Sequence, residues 1–338
     1  MDLLTALAEA GGPPGREERV RAVVEPELAV VCDRVERDPL GGLIGVRGEG
    51  ERRLMLAAHM DEIGLMATHV DDRGFVRVIP LGGWDVRTLL SQRVLVHGRE
   101  DLEGVVGTTP VHLLEAEERR VVPDMADLAV DVGLPAERVR ELVRAGDVVT
   151  RVREVRRLGD LVTGKSLDDR VGVLVMIEAL RAAGPSPAQV IAAATVQEEV
   201  GLRGARVAAA RVRPHVALAI DTCPANDGPG TPPSGPTTRL GHGAAIRVMD
   251  ASAIGAPALV ELLTRIAQEG DIPHQFHLAA RGGTDTGSLQ LSGDGAVAGC
   301  VSVPTRYVHS SVEAVHPDDV DACVKLVAAL VERVGELP

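Results

Sequence analysis

Leu54-Met55-Leu56-Ala57-Ala58-His59-Met60-Asp61 is a run of five apolar residues that ends on an imidazole and a carboxylate. The design returns in Val190-Ile191-Ala192-Ala193-Ala194-Thr195-Val196-Gln197-Glu198-Glu199 and in Val216-Ala217-Leu218-Ala219-Ile220-Asp221. Unbroken apolar runs of this length read as strands buried on both faces, as in a sheet covered by helices. Polar residues at their ends face the crevice beyond the carboxyl edge, where such folds place their sites. Leu167-Asp168-Asp169-Arg170 and Tyr307-Val308-His309 add further carboxylates and an imidazole. Five such segments suggest a hydrolase that uses two metal ions to activate water.

Each segment alone also has an ordinary explanation. A His at a strand end is often a satisfied core or surface histidine. Asp168-Asp169 could cap a helix, since carboxylates favour helix N-termini. Glu198-Glu199 could be solvated loop charge, but adjacent carboxylates at the end of a buried strand repel unless a positive group joins them. Asp61, two residues after His59, lies on the same side of the strand and can orient the imidazole. Taken together, histidine and carboxylate donors suit zinc, cobalt or manganese. Two such metals generate a nucleophilic hydroxide and polarise a carbonyl.

Composition narrows the class. The chain has 338 residues, 45% hydrophobic and 25% charged, enough for a large core and more than one domain. A net charge of -13 argues against nucleic acid as a partner. No apolar run is long enough to cross a bilayer, and the start lacks a secretory pattern, so a cytoplasmic protein is expected. Cys32, Cys223, Cys300 and Cys323 form no CxxC pair and read as reduced thiols; Cys223, close to Asp221, is a weaker candidate for a soft ligand. Lys165 and Lys325 are the only lysines, and Lys165 sits just before Asp168, a hint that an ammonium is useful there.

Helices are expected up to about Pro26, with a break at Gly11-Gly12-Pro13-Pro14, and at 135–142, 171–183, 202–210, 257–268 and 318–334. Strands are expected at 29–35, 42–46 and 53–59. Between about 67 and 157 short apolar runs alternate with turn residues, which indicates small antiparallel strands. After Gly164 strands and helices alternate on a longer period, the mark of a parallel or mixed sheet. The economical division is an α/β catalytic domain, 1–66 plus 158–338, interrupted by a β-rich insertion at 67–157. The segment 223–239 is rich in Pro and Gly and is expected to be irregular.

The stretches AAHMDEIGLM, GGWDVRTLLSQRV, GKSLDDRVG, TVQEEVGLRGA, AIDTCPANDGPG, RGGTDTGS and PTRYVHSSVE run from about residue 57 to 313. In content, order and spacing they resemble the M42 metallo-aminopeptidases, which include the tetrahedral TET aminopeptidases and glutamyl aminopeptidase. The resemblance implies a mixed-sheet α/β/α zinc-peptidase domain with an inserted PDZ-like or barrel-like dimerisation domain. It implies that Asp168 bridges two divalent ions, that Glu199 and His309 complete one shell, and that His59 and Asp221 complete the other. Glu198 would be the general base acting on the metal-bound water, Asp61 would orient His59, and the Asp168-Asp169 peptide would be cis. Asp285 would face the site. The substrates would be peptides, trimmed from the N-terminus, and dimers would build a homododecamer. Trp84, Leu89, Leu90, Leu113 and Leu114 are apolar side chains of the insertion that could serve its contacts or fill its own core.

Three alternatives stay open. The site could deacylate small N-acyl substrates. The chain could be a metal-binding assembly protein without activity, against which Glu198 speaks. Endoglucanase activity fits less well, because glycosidases use two carboxylates that flank the sugar bond.

Overall fold

Residues 2–231 and 238–337 are described by a computed structural model. Residues 232–237 of the segment expected to be irregular lie outside it. Two bodies share the chain. The first is a mixed sheet built from β1 (Arg34–Arg37), β2 (Leu43–Arg47) and β3 (Arg53–His59). The second, formed next in sequence, is a barrel of β4 (Gly64–Val70), β5 (Val76–Leu81), β6 (Arg93–His97), β7 (Asp101–Gly107), β8 (Ala129–Asp131) and β9 (Val148–Arg151). The chain then returns to the sheet with β10 (Arg156–Leu158), β11 (Leu161–Gly164), β12 (Gln189–Thr195), β13 (Val216–Pro224), β14 (Ala244–Met249), β15 (His274–Leu278), β16 (Val297–Arg306) and β17 (Glu313–Val315).

The sheet has 11 strands in the order β1-β2-β12-β3-β13-β16-β17-β11-β10, with β14 and β15 joined through β16. The helices are α1 (Asp2–Glu9), α2 (Glu18–Val31), α3 (Ala136–Leu142), α4 (Leu167–Ala182), α5 (Arg203–Val212), α6 (Pro257–Glu269), α7 (Thr286–Leu289) and α8 (Pro317–Arg333). Alternation along β3 shows how the layers form. Leu54, Leu56 and Ala58 pack on one side with residues of α1, α2, α4, α6 and α8. Met55 and Ala57 pack on the other with α5 and α7. Strands apolar on both faces thus mark the centre of an α/β/α sandwich.

β4-β5-β8-β7-β6-β9 close into an antiparallel barrel with its own core of Leu65, Val76, Val94, Val106, Val130 and neighbours. Closure leaves no free sheet edge. Pairing with β5 begins at Gly64, and β10 pairs with β11 in the large sheet. Leu89 is fully buried in the barrel, and Trp84 and Leu90 pack against its core. Leu113 instead is 67% exposed, and Val111, Val121 and Val122 are exposed as well.

The expected strand at 29–35 is corrected. Ala29–Val31 close α2, and β1 starts at Arg34. Val20, Val24 and Leu28 are buried at helical spacing, and that burial carries the helix through Pro26 despite the roughly 3 kcal/mol an interior proline costs. Among the described residues, no helix is long and apolar enough to cross a membrane.

Candidate active site

β12, β3 and β13 lie side by side and parallel, so their carboxyl ends reach one edge together. His59 closes β3, Glu198 and Glu199 follow β12, and Asp221 stands near the end of β13. Asp168 enters from the first turn of α4 and His309 from the turn after β16. Ser166, Gln197, Leu202, Tyr307 and His309 all have positive φ between 55° and 62°, an uncommon conformation for side-chain-bearing residues that clusters at functional sites. The Asp168–Asp169 peptide is cis.

Two groups of ligating atoms form, each within 4.8 Å: His59, Asp168 and Asp221, and Asp168, Glu199 and His309. Asp168 belongs to both. Its Oδ1 lies 3.4 Å from His59 Nε2, and its Oδ2 lies 3.3 Å from His309 Nε2. Glu199 Oε1 is 3.2 Å from His309 Nε2. Glu198 belongs to neither group; its Oε2 lies 3.9 Å from His59 Nε2. The cluster lines a cleft of about 610 Å³.

The electrostatics are those of excess negative charge held out of water. Burial and nearby Asp168 push the Asp221 carboxyl up to about 7, with His59 and Arg247 opposing. Burial also raises Glu198 well above the carboxylate range, aided by Asp221 and Glu199 against the pull of His59. Burial acts against the His59 imidazolium, but Glu198, Asp168 and Asp61 outweigh it and raise His59. Asp168 Oδ1 and Glu199 Oε1 are buried and accept no aligned hydrogen bond. Buried carboxylate oxygens without donors are costly. A cation between them supplies what is missing, so these residues fit divalent metal ions.

The surrounding residues fix the cluster through the backbone. Asp61 accepts the amides of Glu198 at 3.0 Å and Glu199 at 3.1 Å. The nearest partner of His59 Nδ1 is the Asp61 backbone carbonyl at 3.1 Å, with the carboxylate at 3.6 Å. Glu313 takes the amide of Asp168 at 3.0 Å on one oxygen and that of His309 at 2.8 Å on the other. Asp169 turns away from the cleft and accepts the His59 amide at 3.2 Å. Gly82, at φ +90°, carries the β5 end past the site, where a Cβ would meet Ile63 at 2.5 Å and Glu199 at 3.3 Å.

Lys165 does not reach the cleft; its ammonium donates to Glu62 at 2.8 and 3.0 Å. Asp285 is buried and accepts the Thr195 hydroxyl at 2.6 Å, with its Oδ1 unpartnered. Cys223 is buried outside both ligand groups, and burial pushes its thiol up to about 12. Glu62 and Glu313 were missed from sequence, although both lie inside the quoted stretches. The available signal was a carboxylate flanked by apolar residues: Ile63, Gly64 and Leu65 after Glu62, Ala314 and Val315 after Glu313.

Comparison with known proteins agrees over nearly the whole chain. The family described as M42 glutamyl aminopeptidase matches residues 41–326. Aminopeptidase APDkam598 from the archaeon Desulfurococcus kamchatkensis is 40% identical, with a TM-score of 0.94 over 98% of this chain and 94% of that one. The TET1 peptidase of Pyrococcus horikoshii, which can assemble into a tetrahedron or a large octahedral shell, is 37% identical, with a TM-score of 0.88 over 98% of each chain. The lysyl aminopeptidase of Pyrococcus furiosus is 35% identical over 343 residues, covering 98% of this chain and 96% of its own. A peptidase fold, its cleft and this breadth of likeness lead to one conclusion: the chain belongs to the M42 aminopeptidase family and is a peptide hydrolase.

Proposed function

We propose that the protein is a two-metal aminopeptidase that removes N-terminal residues from peptides. The observation that supports this most is Asp168, whose two oxygens face different imidazoles in two overlapping donor groups. His59, Asp168 and Asp221 would hold one divalent ion; Asp168, Glu199 and His309 would hold the other. Zinc and cobalt suit these donors, with manganese a third candidate. When bound, such ions supply Lewis acidity that acidifies water and polarises the scissile carbonyl.

The chain's own groups do the rest. Glu198 is half-buried beside the donors yet belongs to neither group. As general base it takes the proton of the attacking water and returns one to the leaving amine. Asp61, by holding two adjacent amides, keeps Glu198 and Glu199 in fixed relation. Glu313 does the same for Asp168 and His309. The carboxylate excess of the cleft suits the ammonium of a free N-terminus.

The barrel is proposed as the dimerisation module of a homododecamer. The shell-forming TET1 relative and the exposed Val111, Leu113, Val121 and Val122 support that reading. The deciding experiment incubates free-amine and N-acetylated peptides with metal-loaded protein and follows products by mass spectrometry. Stepwise loss of single N-terminal residues from the free-amine set is expected. Internal cuts in blocked peptides would contradict it.

A further inference from the structure

Three consecutive peptide planes carry the chain from β12 through Glu198 to Glu199, and each is held at both ends. Their carbonyls face the start of α5. That of Val196 accepts the Gly204 amide at 2.9 Å, that of Gln197 the Arg203 amide at 3.2 Å, and that of Glu198 the Gly201 and Leu202 amides at 2.9 Å each. Their N–H groups face carboxylates. Those of Glu198 and Glu199 donate to Asp61. The remaining one, of Gln197, donates to Glu17 Oε1 at 3.2 Å, across 180 residues of chain.

Glu17 stands just before α2 and is only 2% exposed. Its Oε1 also accepts the Gly15 amide at 2.7 Å, which closes the turn into the helix. The segment that delivers it is wedged behind the site. The Gly12 amide donates to Glu62 Oε1 at 3.1 Å, and the Gly12 carbonyl accepts the Glu62 amide at 3.0 Å. A Cβ on Gly12 would meet Val20 at 2.7 Å, and one on Gly64 would meet Pro13 at 2.6 Å. Glu17 therefore reaches Gln197 on a stretch of backbone with little room to shift.

Gln197 needs such a hold. Its φ is +55°, a left-handed conformation that a residue with a side chain keeps only where its surroundings impose it. It directly precedes Glu198, so its backbone angles set where that carboxylate points. Without Glu17 the Gln197 N–H loses its acceptor, one end of the first plane is released, and relaxation toward extended backbone carries Glu198 with it.

We propose that Glu17 is a positioning residue for hydrolysis, holding Gln197 in its left-handed turn and so keeping Glu198 aimed into the metal cleft. The reading rests on the general-base role proposed above for Glu198.

The test measures kcat and KM for a leucyl chromophore on metal-loaded parent, Glu17→Asp, Glu17→Gln, Glu17→Leu and Val24→Ala. Glu17→Asp keeps the charge but is one methylene short of Gln197. Glu17→Gln keeps the reach and an acceptor oxygen but drops the charge. Val24→Ala removes buried volume from the same helix and serves as the stability control. Glu17→Asp and Glu17→Leu should lower kcat by at least about 10-fold, the scale of losing a group that orients a site residue. KM and metal content should stay at the parent's values, because neither substrate nor metal touches Glu17. Glu17→Gln should return kcat to within about 2-fold of the parent. Val24→Ala should unfold at a lower temperature with kcat unchanged.

Full kcat in Glu17→Asp, or Glu17→Gln as slow as Glu17→Asp, overturns the proposal. So does a loss that follows metal content or that Val24→Ala reproduces. The Asp and Gln variants decide the question even where Glu17→Leu does not fold. Hydrogen exchange read by mass spectrometry repeats the comparison without turnover. The peptide over 196–203 should exchange faster in Glu17→Asp than in the parent and Glu17→Gln, and equal exchange in all three overturns the contact's role. Protein that hydrolyses no free-amine substrate defeats the aminopeptidase reading separately, and the exchange comparison still decides what Glu17 holds.

Discussion

Lys165 Nζ lies 2.8 Å from Glu62 Oε1 in a pocket where neither side chain reaches water. Arg170 and Arg151 stand 3.7 and 4.0 Å from the same carboxylate, and the Gly12 amide donates to it at 3.1 Å. Burial alone would raise Glu62, but Lys165, Arg170 and Arg151 hold it at about 2. Burial pushes Lys165 down to about 8, with Glu62 opposing and Arg170 and Arg151 adding to the push. The Glu62 shift reflects three cations gathered on one buried anion, whereas the Lys165 shift comes chiefly from burial. A carboxyl depressed in the folded state stabilises the fold above its unfolded pKa of about 4.3 and loses that contribution as pH falls toward 2. Lys165 remains charged throughout that range, so this acid limb belongs to Glu62. Glu62→Gln should cost about 3–5 kcal/mol at neutral pH, because buried cations lose their partner. Urea titrations at several pH values should show the loss and a flatter acid limb. A loss below about 1 kcal/mol would show that the network matters little.

Metal content should report the sharing of Asp168. Elemental analysis of the parent should give two divalent ions per chain. Asp168→Ala should fall toward none, whereas His59→Ala and Asp221→Ala should each keep about one, the group without them being intact. Equal occupancy in all three variants would remove Asp168 from its shared role. Chelation should abolish turnover and divalent metal should restore it.

Glu198→Gln preserves shape but cannot accept the proton. Turnover should fall by about 10²–10⁴-fold with both metals retained. If Glu198→Gln instead loses a metal and Glu199→Gln does not, the two roles are reversed.

Asp61→Asn replaces one of two acceptor oxygens with an NH2 that confronts a backbone amide. A decrease of about 10–100-fold in metal affinity or activity is expected, with unfolding midpoints near the parent's. Unchanged kinetics would show that the strand-end amides hold their positions without it.

Assembly should depend on the exposed apolar stretch of the barrel. Light scattering should give a mass far above one chain, and Val111→Asp with Leu113→Asp should lower it while the free chains keep their metals. A monomeric parent at micromolar concentration would falsify the assembly.

The centre of the fold was legible because strands buried on both faces have no alternation to obscure them. β3, β12 and β13 stand where their apolar runs are. Elements that depend on context were not. Helix α2 continues through Pro26 because of what Leu28 packs against, which no local rule contains. β14 to β17 carry weaker patterns, and β17 is only three residues long. At the site, residues that face the cleft announced themselves through paired carboxylates and imidazoles. Those that act on the backbone from behind, Glu62 and Glu313, look like ordinary surface acids until the fold buries them. Lys165 shows the reverse case, a rare residue near the motif whose partner is structural.

Arg151 closes the last barrel strand, yet its guanidinium caps the Ser310 carbonyl next to His309 and stacks 4.9 Å from the Trp84 ring. The barrel is therefore an anchor for the His309 turn. Excising it would strip Ser310 and Glu62 of a shared cation. One side chain thus ties the barrel to the proposed metal site, and heat that loosens the barrel should dim activity before the large sheet melts.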